Sequence, residues 1–361
     1  MKSEPRMRIA IVSSLDWRTP PRHSGIRELI AASLADGLVA RGLDVTLFAT
    51  ADSTSTAKLR AICPRPLRED SALDPGVWNL LHTAEVFARA HEFDVIHCHT
   101  DVSALAYTEM VDTPVVLTLH ETPTSRQLPI FHRFARNSSY IAISEASKLP
   151  GLPYTTTILP GVPLEEYRLN NSPGDYLLFV GTIAPNRGLE RIIEAADKMN
   201  VPLVVGGPIE DAPYFEKVIH PLASDHRLIY LGPISRERRN EIFGRALALV
   251  HLSEKPQPFR LSMVEAMACG TPVIALRSGS NLEIVQHRKT GYLVTGYESL
   301  IEAIGQVRTI DRRQVRQRVI DHFSQNGMVT QYLRIYETAI KRAREKVLQE
   351  ESALRGQKMV Y

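Results

Sequence analysis

The chain has 361 residues, 44% of them apolar and 23% charged, with a formal charge of +3. That length exceeds one ordinary core and suits two domains, and the composition belongs to a folded protein rather than a disordered one. So small a charge, with no stacking aromatics interleaved among the basic residues, argues against a nucleic-acid binder. Cys63, Cys98 and Cys269 are odd in number and far apart, as expected of reduced thiols in the cytoplasm. Residues 1–5 lack the apolar run of a signal peptide, and no stretch reaches membrane-spanning length.

The first element, residues 7–14, is a short continuous apolar run of the kind buried on both faces of a sheet. Ile26, Leu29, Ile30, Leu34 and Leu38 then recur at helical spacing over residues 25–41, and Gly42 closes the helix. A second strand follows at 43–49, so a right-handed crossover and a parallel sheet are expected. The alternation continues with a helix over 73–90 and strands at 94–97, 114–119, 140–143 and 157–159. After a turn-rich stretch at 170–174 a second series begins, with strands at 176–180, 202–205, 228–231, 248–250 and 272–275. Its helices are expected at 189–199, near 214–222, at 236–246 and at 261–268. Two runs of strand–helix alternation mean two doubly wound domains. The last helical pattern, 325–349, places Met328, Tyr332, Ile335, Tyr336 and Ala339 on one face. Its far end carries Lys341, Arg342, Arg344 and Lys346, read as a solvated helix end, with weak contact to an anionic membrane surface as the alternative.

In open sheets of this kind, ligands bind beyond the carboxyl ends of the strands. The loops there hold the candidates. Ser24 and Gly25 open the first helix, where a glycine allows close backbone approach but also serves as an ordinary cap. His97 and His99 share a strand face without a third ligand at sensible spacing, so a strand-end hydrogen bond is a better reading than zinc. His120 ends the next strand in the same way. Residues 181–188, from Gly181 and Thr182 to Arg187 and Gly188, join a strand to a helix and resemble a phosphate-cradling loop with one forked cation. Glu265 lies mid-helix among apolar residues, where a carboxylate is costly unless something bonds it. Gly279 and Ser280 open a further helix at which an anion could rest. No Gly-x-Gly-x-x-Gly follows the first strand, which argues against a nicotinamide dehydrogenase.

Across nearly its whole length the chain resembles glycosyltransferase family 4, the retaining enzymes of GT-B fold. The resemblance runs through residues 24–26, 94–99, 118–120, 161–162, Gly181, Arg187-Gly188, Pro258-Phe259, 265–274, Gly279 with Glu283, and 291–294, and is most specific around Glu265. It implies two Rossmann-like domains facing across a cleft: 1–165 on the acceptor side, 166–325 binding the nucleotide sugar, and 326–361 as a helix and tail packing back on the first domain. It also implies a nucleoside-diphosphate sugar as co-substrate, an acceptor of unknown class, and no resident cofactor or metal. Glu265 is given the nucleotide ribose, Arg187 the diphosphate, and His120 the reacting sugar. The expected donor set is Ser24, Gly25, Gly181, Thr182, Arg187, Phe259, Arg260, Leu261, Glu265, Gly279, Ser280 and Glu283, with Gln257 joining His120, Glu265 and Arg187 as the catalytic group.

The departures from the family pattern gather on the donor side. Gln257 stands where the first of two glutamates is usual, Arg260 for a glycine, Thr182 for an arginine, Arg187 for a lysine, Ser24 for a second glycine and Pro163 for an aspartate. Losing one preorganised polar contact commonly costs roughly 10²–10³ in rate. Two readings therefore stand: a retaining transferase with an altered donor site, or a GT-B-shaped protein that binds a nucleotide, glycan or protein without catalysis.

Overall fold

The computed structural model describes residues 6–22, 25–172, 174–223, 228–254 and 258–358. They form two compact units. The first comprises Met1–Ile143, Lys148–Leu159 and Gln325–Tyr361, and the second Ser144–Ser147 and Pro160–Ser324.

The first unit is built on seven strands, β1 (Arg8–Val12), β2 (Asp44–Phe48), β3 (Lys58–Arg60), β4 (Val95–Cys98), β5 (Val115–Leu119), β6 (Ser138–Ala142) and β7 (Tyr154–Thr157). All pairs are parallel, in the order β3-β2-β1-β4-β5-β6-β7. Side chains alternate across a strand. Ile9 and Ile11 accordingly enter one core cluster and Ala10 and Val12 the other, which is why β1 reads as an unbroken apolar run. The helix Ile26–Ala40 covers the first of these clusters together with the long helix Gln325–Lys358, which packs back on this unit as expected. Gly37 makes that contact possible, since a Cβ there would lie 2.6 Å from a methyl of Val329. The long helix is also pinned through hydroxyls: Tyr336 bonds His97 Nδ1 at 2.6 Å and Tyr332 bonds Thr118 at 2.9 Å.

The second unit holds six parallel strands, β8 (Tyr176–Val180), β9 (Leu203–Gly206), β10 (Leu228–Tyr230), β11 (Ala246–His251), β12 (Val273–Leu276) and β13 (Gly291–Val294), ordered β10-β9-β8-β11-β12-β13. The expected helix near 214–222 is Ala212–Tyr214 and His220–Ala223 with a π turn, Phe215–Ile219, between them. The expected strand at 157–159 sits earlier, as β7. Its Tyr-Thr-Thr-Thr pattern suits an exposed sheet edge, and the apolar Ile158 that follows enters the core instead. β3, β13 and the helices Tyr297–Gln306 and Arg312–His322 carry too little periodicity to have been expected. Among the described residues no helix is long and apolar enough to cross a membrane.

One guanidinium ties the second unit together. Arg312 is buried and donates to the carbonyls of Asn170 (2.6 Å), Gly244 (2.7 Å) and Ala246 (3.0 Å) and to the Thr271 hydroxyl (2.5 Å). Burial pushes its pKa down to about 10, so it remains charged at neutral pH. Each buried acceptor left without a donor costs about 1–3 kcal/mol. Arg312→Met is expected to destabilise the second unit by at least about 3 kcal/mol, and Arg312→Lys to recover less than half of that, because an ammonium lacks the planar fork. Urea unfolding measures both. A loss below about 1 kcal/mol for Arg312→Met would contradict this account.

Candidate functional site

In a parallel sheet every strand ends at the same edge. Where the strand order reverses, neighbouring loops part and leave a crevice. In the second unit this happens between β8 and β11, and the loops leaving those two strands carry Arg187 and Arg260.

The first loop is held against the second. Gly188 caps the helix Leu189–Lys198 with φ 76°, and a Cβ there would come within 2.6 Å of the Leu252 carbonyl, just beyond β11. The Glu254 amide donates to the Asn186 carbonyl at 3.2 Å, and Arg191 pairs with Glu254 at 2.9 Å. Arg187 thus lies between two fixed points. Arg260 is the cap residue of the helix Leu261–Ala268, whose first amides have no partner within the helix. Among the described residues, neither the Arg187 nor the Arg260 guanidinium has a hydrogen-bond or carboxylate partner. Burial first, and the charge of Arg187 second, press the pKa of Arg260 down to about 9. His251, which ends β11, is kept neutral by burial and then by both arginines. Two adjacent cations, partly withdrawn from water and without a counter-charge, make a site for an anion.

The other expected donor residues are placed as follows. Glu265 is buried, and its Oε1 accepts from the Tyr167 hydroxyl (2.8 Å) and from Arg239 (2.6 Å). The mid-helix carboxylate is therefore bonded inside the protein before any ligand arrives. Phe259 is buried beside Phe323, their rings 6.1 Å apart, which leaves only its backbone for a ligand; Leu261 is buried too. The Gly181 amide donates to the Gly206 carbonyl at 3.0 Å, and Thr182 is half-buried. Gly279 has φ 54° and open space where a Cβ would stand, while Ser280 is buried. Both carboxylate oxygens of Glu283 accept backbone amides at 2.9 Å, from Glu145 and Ala146, which also belong to the second unit. Ser24 and Gln257 lie outside the described residues.

In the first unit the strand order reverses between β1 and β4, and three histidines gather at the ends of β4 and β5. His97 is saturated by the Tyr336 and Thr118 hydroxyls. His99 Nδ1 lies 2.9 Å from His120 Nε2. Burial keeps all three rings neutral. Among the described residues no three His, Cys, Asp or Glu side chains gather as a metal site would need. Gly25 caps the first helix at φ 130°, where a Cβ would meet Glu28 Oε2 at 2.7 Å and Trp17 at 3.0 Å.

Four participants escaped the sequence reading: His251, Arg239, Tyr167 and Glu28. His251 was within reach, because it ends a strand as His120 does, but the apolar run before it reads as closing at Val250. The Arg239–Glu265–Tyr167 contact joins residues up to 98 positions apart, and nothing local signals it.

Two doubly wound parallel sheets, each with its own switch point, make up the GT-B architecture. The family models agree: residues 166–321 match "Glycosyl transferases group 1" and residues 28–148 match "Glycosyltransferase Family 4". This chain is a member of the group 1 glycosyltransferases and is a transferase enzyme. An uncharacterized glycosyltransferase of Methanocaldococcus jannaschii is 24% identical over 335 residues, covering 80% of this chain and 85% of that one. A D-inositol 3-phosphate glycosyltransferase of Mycobacteroides abscessus is 28% identical over 207 residues, 50% of this chain and 46% of the relative, so the chain spans about half of that protein. Among solved structures, Anabaena HepE in complex with UDP and glucose is similar with a TM-score of 0.71 at 20% identity, covering 92% of this chain and 100% of that one.

Two expectations follow. Removing Arg239 strands a buried carboxylate, so Arg239→Met should cost about 3–5 kcal/mol in urea unfolding, and Arg239→Met combined with Glu265→Gln markedly less. Glu28 is buried, and its pKa is raised from 4.5 to about 7, chiefly by desolvation. Unfolded, it loses its proton near pH 4.5; folded, near 7. Between these values unfolding releases a proton, so its contribution to stability is intact below the window and falls as pH rises through it. Glu28→Gln should flatten stability against pH between 4.5 and 7, and an unchanged slope would show that Glu28 is solvated.

Proposed function

We propose that the chain is a retaining glycosyltransferase whose donor is a nucleoside-diphosphate sugar, with the diphosphate held in the second unit by Arg187 and Arg260. The observation that carries the reading is the pair of neighbouring guanidiniums at the β8/β11 switch point, neither of which has a carboxylate partner among the described residues. Thr182 lacks the cation that the resembled family has there, and Arg260 brings one where that family has a glycine. On this reading the charge has moved from the loop after β8 to the loop after β11, with the sum preserved. HepE, whose complexes contain UDP and glucose, supports a nucleotide sugar on this fold.

In the proposed reaction the bond from the sugar's anomeric carbon to the diphosphate breaks. The guanidiniums and the amides at the start of the Leu261–Ala268 helix take up the charge that develops on the leaving oxygen. The acceptor hydroxyl forms its bond on the face the diphosphate leaves, and its proton passes to a phosphate oxygen. Glu265, oriented by Arg239 and Tyr167, is assigned to the ribose, and His120 in the first unit to the sugar. The acceptor belongs with the first unit, whose polar loops at 53–70 and 122–137 suit a hydroxylated or phosphorylated compound.

The test is calorimetric titration of UDP, GDP and ADP against the protein and Arg260→Gly. One lost charged hydrogen bond is worth about 1.5–3 kcal/mol, so the variant should bind its preferred diphosphate about 10–100-fold more weakly. Equal or tighter binding would remove Arg260 from the site. NMR of the product made from a panel of nucleotide sugars should show the donor's anomeric configuration retained, and an inverted product would defeat the mechanism. Gln257→Glu, which restores the family's carboxylate, should raise turnover.

A further inference from the structure

A cavity of about 160 Å³ lies at the amino edge of the first unit's sheet, between the starts of β5 and β6 and the long helix Gln325–Lys358. It is remote from the strand ends described above: β5 runs from Val115 to Leu119, and at about 3.3 Å per residue its far end is roughly 16 Å away. The lining is basic, with Arg136, Arg342 and Lys346 against one carboxylate, Asp112. Arg342 and Lys346 stand four residues apart on the helix and so share a face, a placement that is unfavourable for like charges. Lys346 donates to Asn137 Oδ1 at 3.1 Å, which draws it to the wall that carries Arg136. The other cations of this helix end meet carboxylates: Lys341 lies 3.9 Å from Glu345, and Arg344 acts on Asp94. Among the described residues, neither the Arg136 nor the Arg342 guanidinium has a hydrogen-bond or carboxylate partner. Ser138 also lines the cavity. Its Oγ is buried with no hydrogen-bond partner among the described residues, and the nearby Tyr140 hydroxyl donates its proton to the Phe131 carbonyl at 3.0 Å.

We propose that this cavity binds a phosphomonoester group. Such a group carries about 1.5–2 negative charges at neutral pH and three acceptor oxygens, which match three cations offset by one carboxylate, with a hydroxyl donor beside them. The volume is below the roughly 300–1,000 Å³ of pockets that enclose drug-sized ligands, so it takes a small headgroup rather than a whole nucleotide. Bound there, the group bridges the long helix to the starts of β5 and β6. It thereby reinforces the seat that the Tyr332 and Tyr336 hydroxyls give that helix.

Hydrogen exchange read by mass spectrometry, with glycerol 3-phosphate as the probe, tests the site and locates it. Amides of residues 136–139 and 339–347 are expected to gain protection that glycerol does not give. In the double variant Arg136→Gln, Arg342→Gln, whose changes fall on exposed side chains, the apparent affinity should drop at least about tenfold with the loss of two charged hydrogen bonds. Asp112→Asn removes the opposing carboxylate and should tighten binding about two- to fivefold, the reach of one exposed charge pair. Vesicles of phosphatidylcholine containing phosphatidic acid form a second arm. Protection of the same segments by these vesicles, but not by glycerol 3-phosphate or pure phosphatidylcholine, would assign the site to a lipid headgroup. Protection by neither probe, or protection undiminished in the double variant, would overturn the proposal. The protected segments belong to the first unit, so the outcome is separate from that of the nucleotide titrations at Arg260.

Discussion

Parallel pairing is the constraint from which the rest follows. Every described strand pair in both sheets is parallel, so every strand in a sheet delivers its following loop to the same edge. The chemistry-bearing residues are scattered from Gly25 to Glu283, yet most of them lie in loops or helix starts that leave such an edge. Reversal of strand order at β1/β4 and at β8/β11 then opens the two places where neighbouring loops do not close over each other.

Three arginines of the second unit show how charge is handled around one of those places. Arg312 is buried among three carbonyls and a hydroxyl, and Arg239 faces Glu265 and Tyr167. Each is a cation made tolerable by acceptors already in the protein. Arg260 is withdrawn from water as well, but beside another guanidinium rather than an acceptor. The first two hold the framework, and the third has no side-chain partner among the described residues. The same contrast separates His97, satisfied on both nitrogens, from His99 and His120, each with one nitrogen that has no partner among the described residues.

Much of this architecture was legible in the sequence because both-face burial leaves a plain mark. β1, β5 and β8 are short apolar runs between breakers, and the helices Ile26–Ala40 and Leu189–Lys198 keep helical spacing. Edge strands left less: β3 and β7 are partly exposed and mostly polar, and the apolar residues after β7 mimic a strand one turn too late. Arg187 and His120 could be named from their positions after strands, and Arg260 from the family resemblance. What those side chains touch could not. The commitment of Glu265 to Arg239, of Glu283 to two amides, and of Phe259 to Phe323 all depend on long-range packing that no local pattern encodes.

The route of the chain has a consequence for how the protein is made. The core beneath the helix Ile26–Ala40 includes Met328, Val329, Tyr332 and Tyr336, which leave the ribosome only after the whole second unit has been synthesised. Until then the nascent first unit exposes an apolar face and leaves His97 and Thr118 without their tyrosine hydroxyls. The second unit, continuous but for four residues, can close on itself earlier. The order of translation therefore favours completing the second unit before the unit that precedes it in the message.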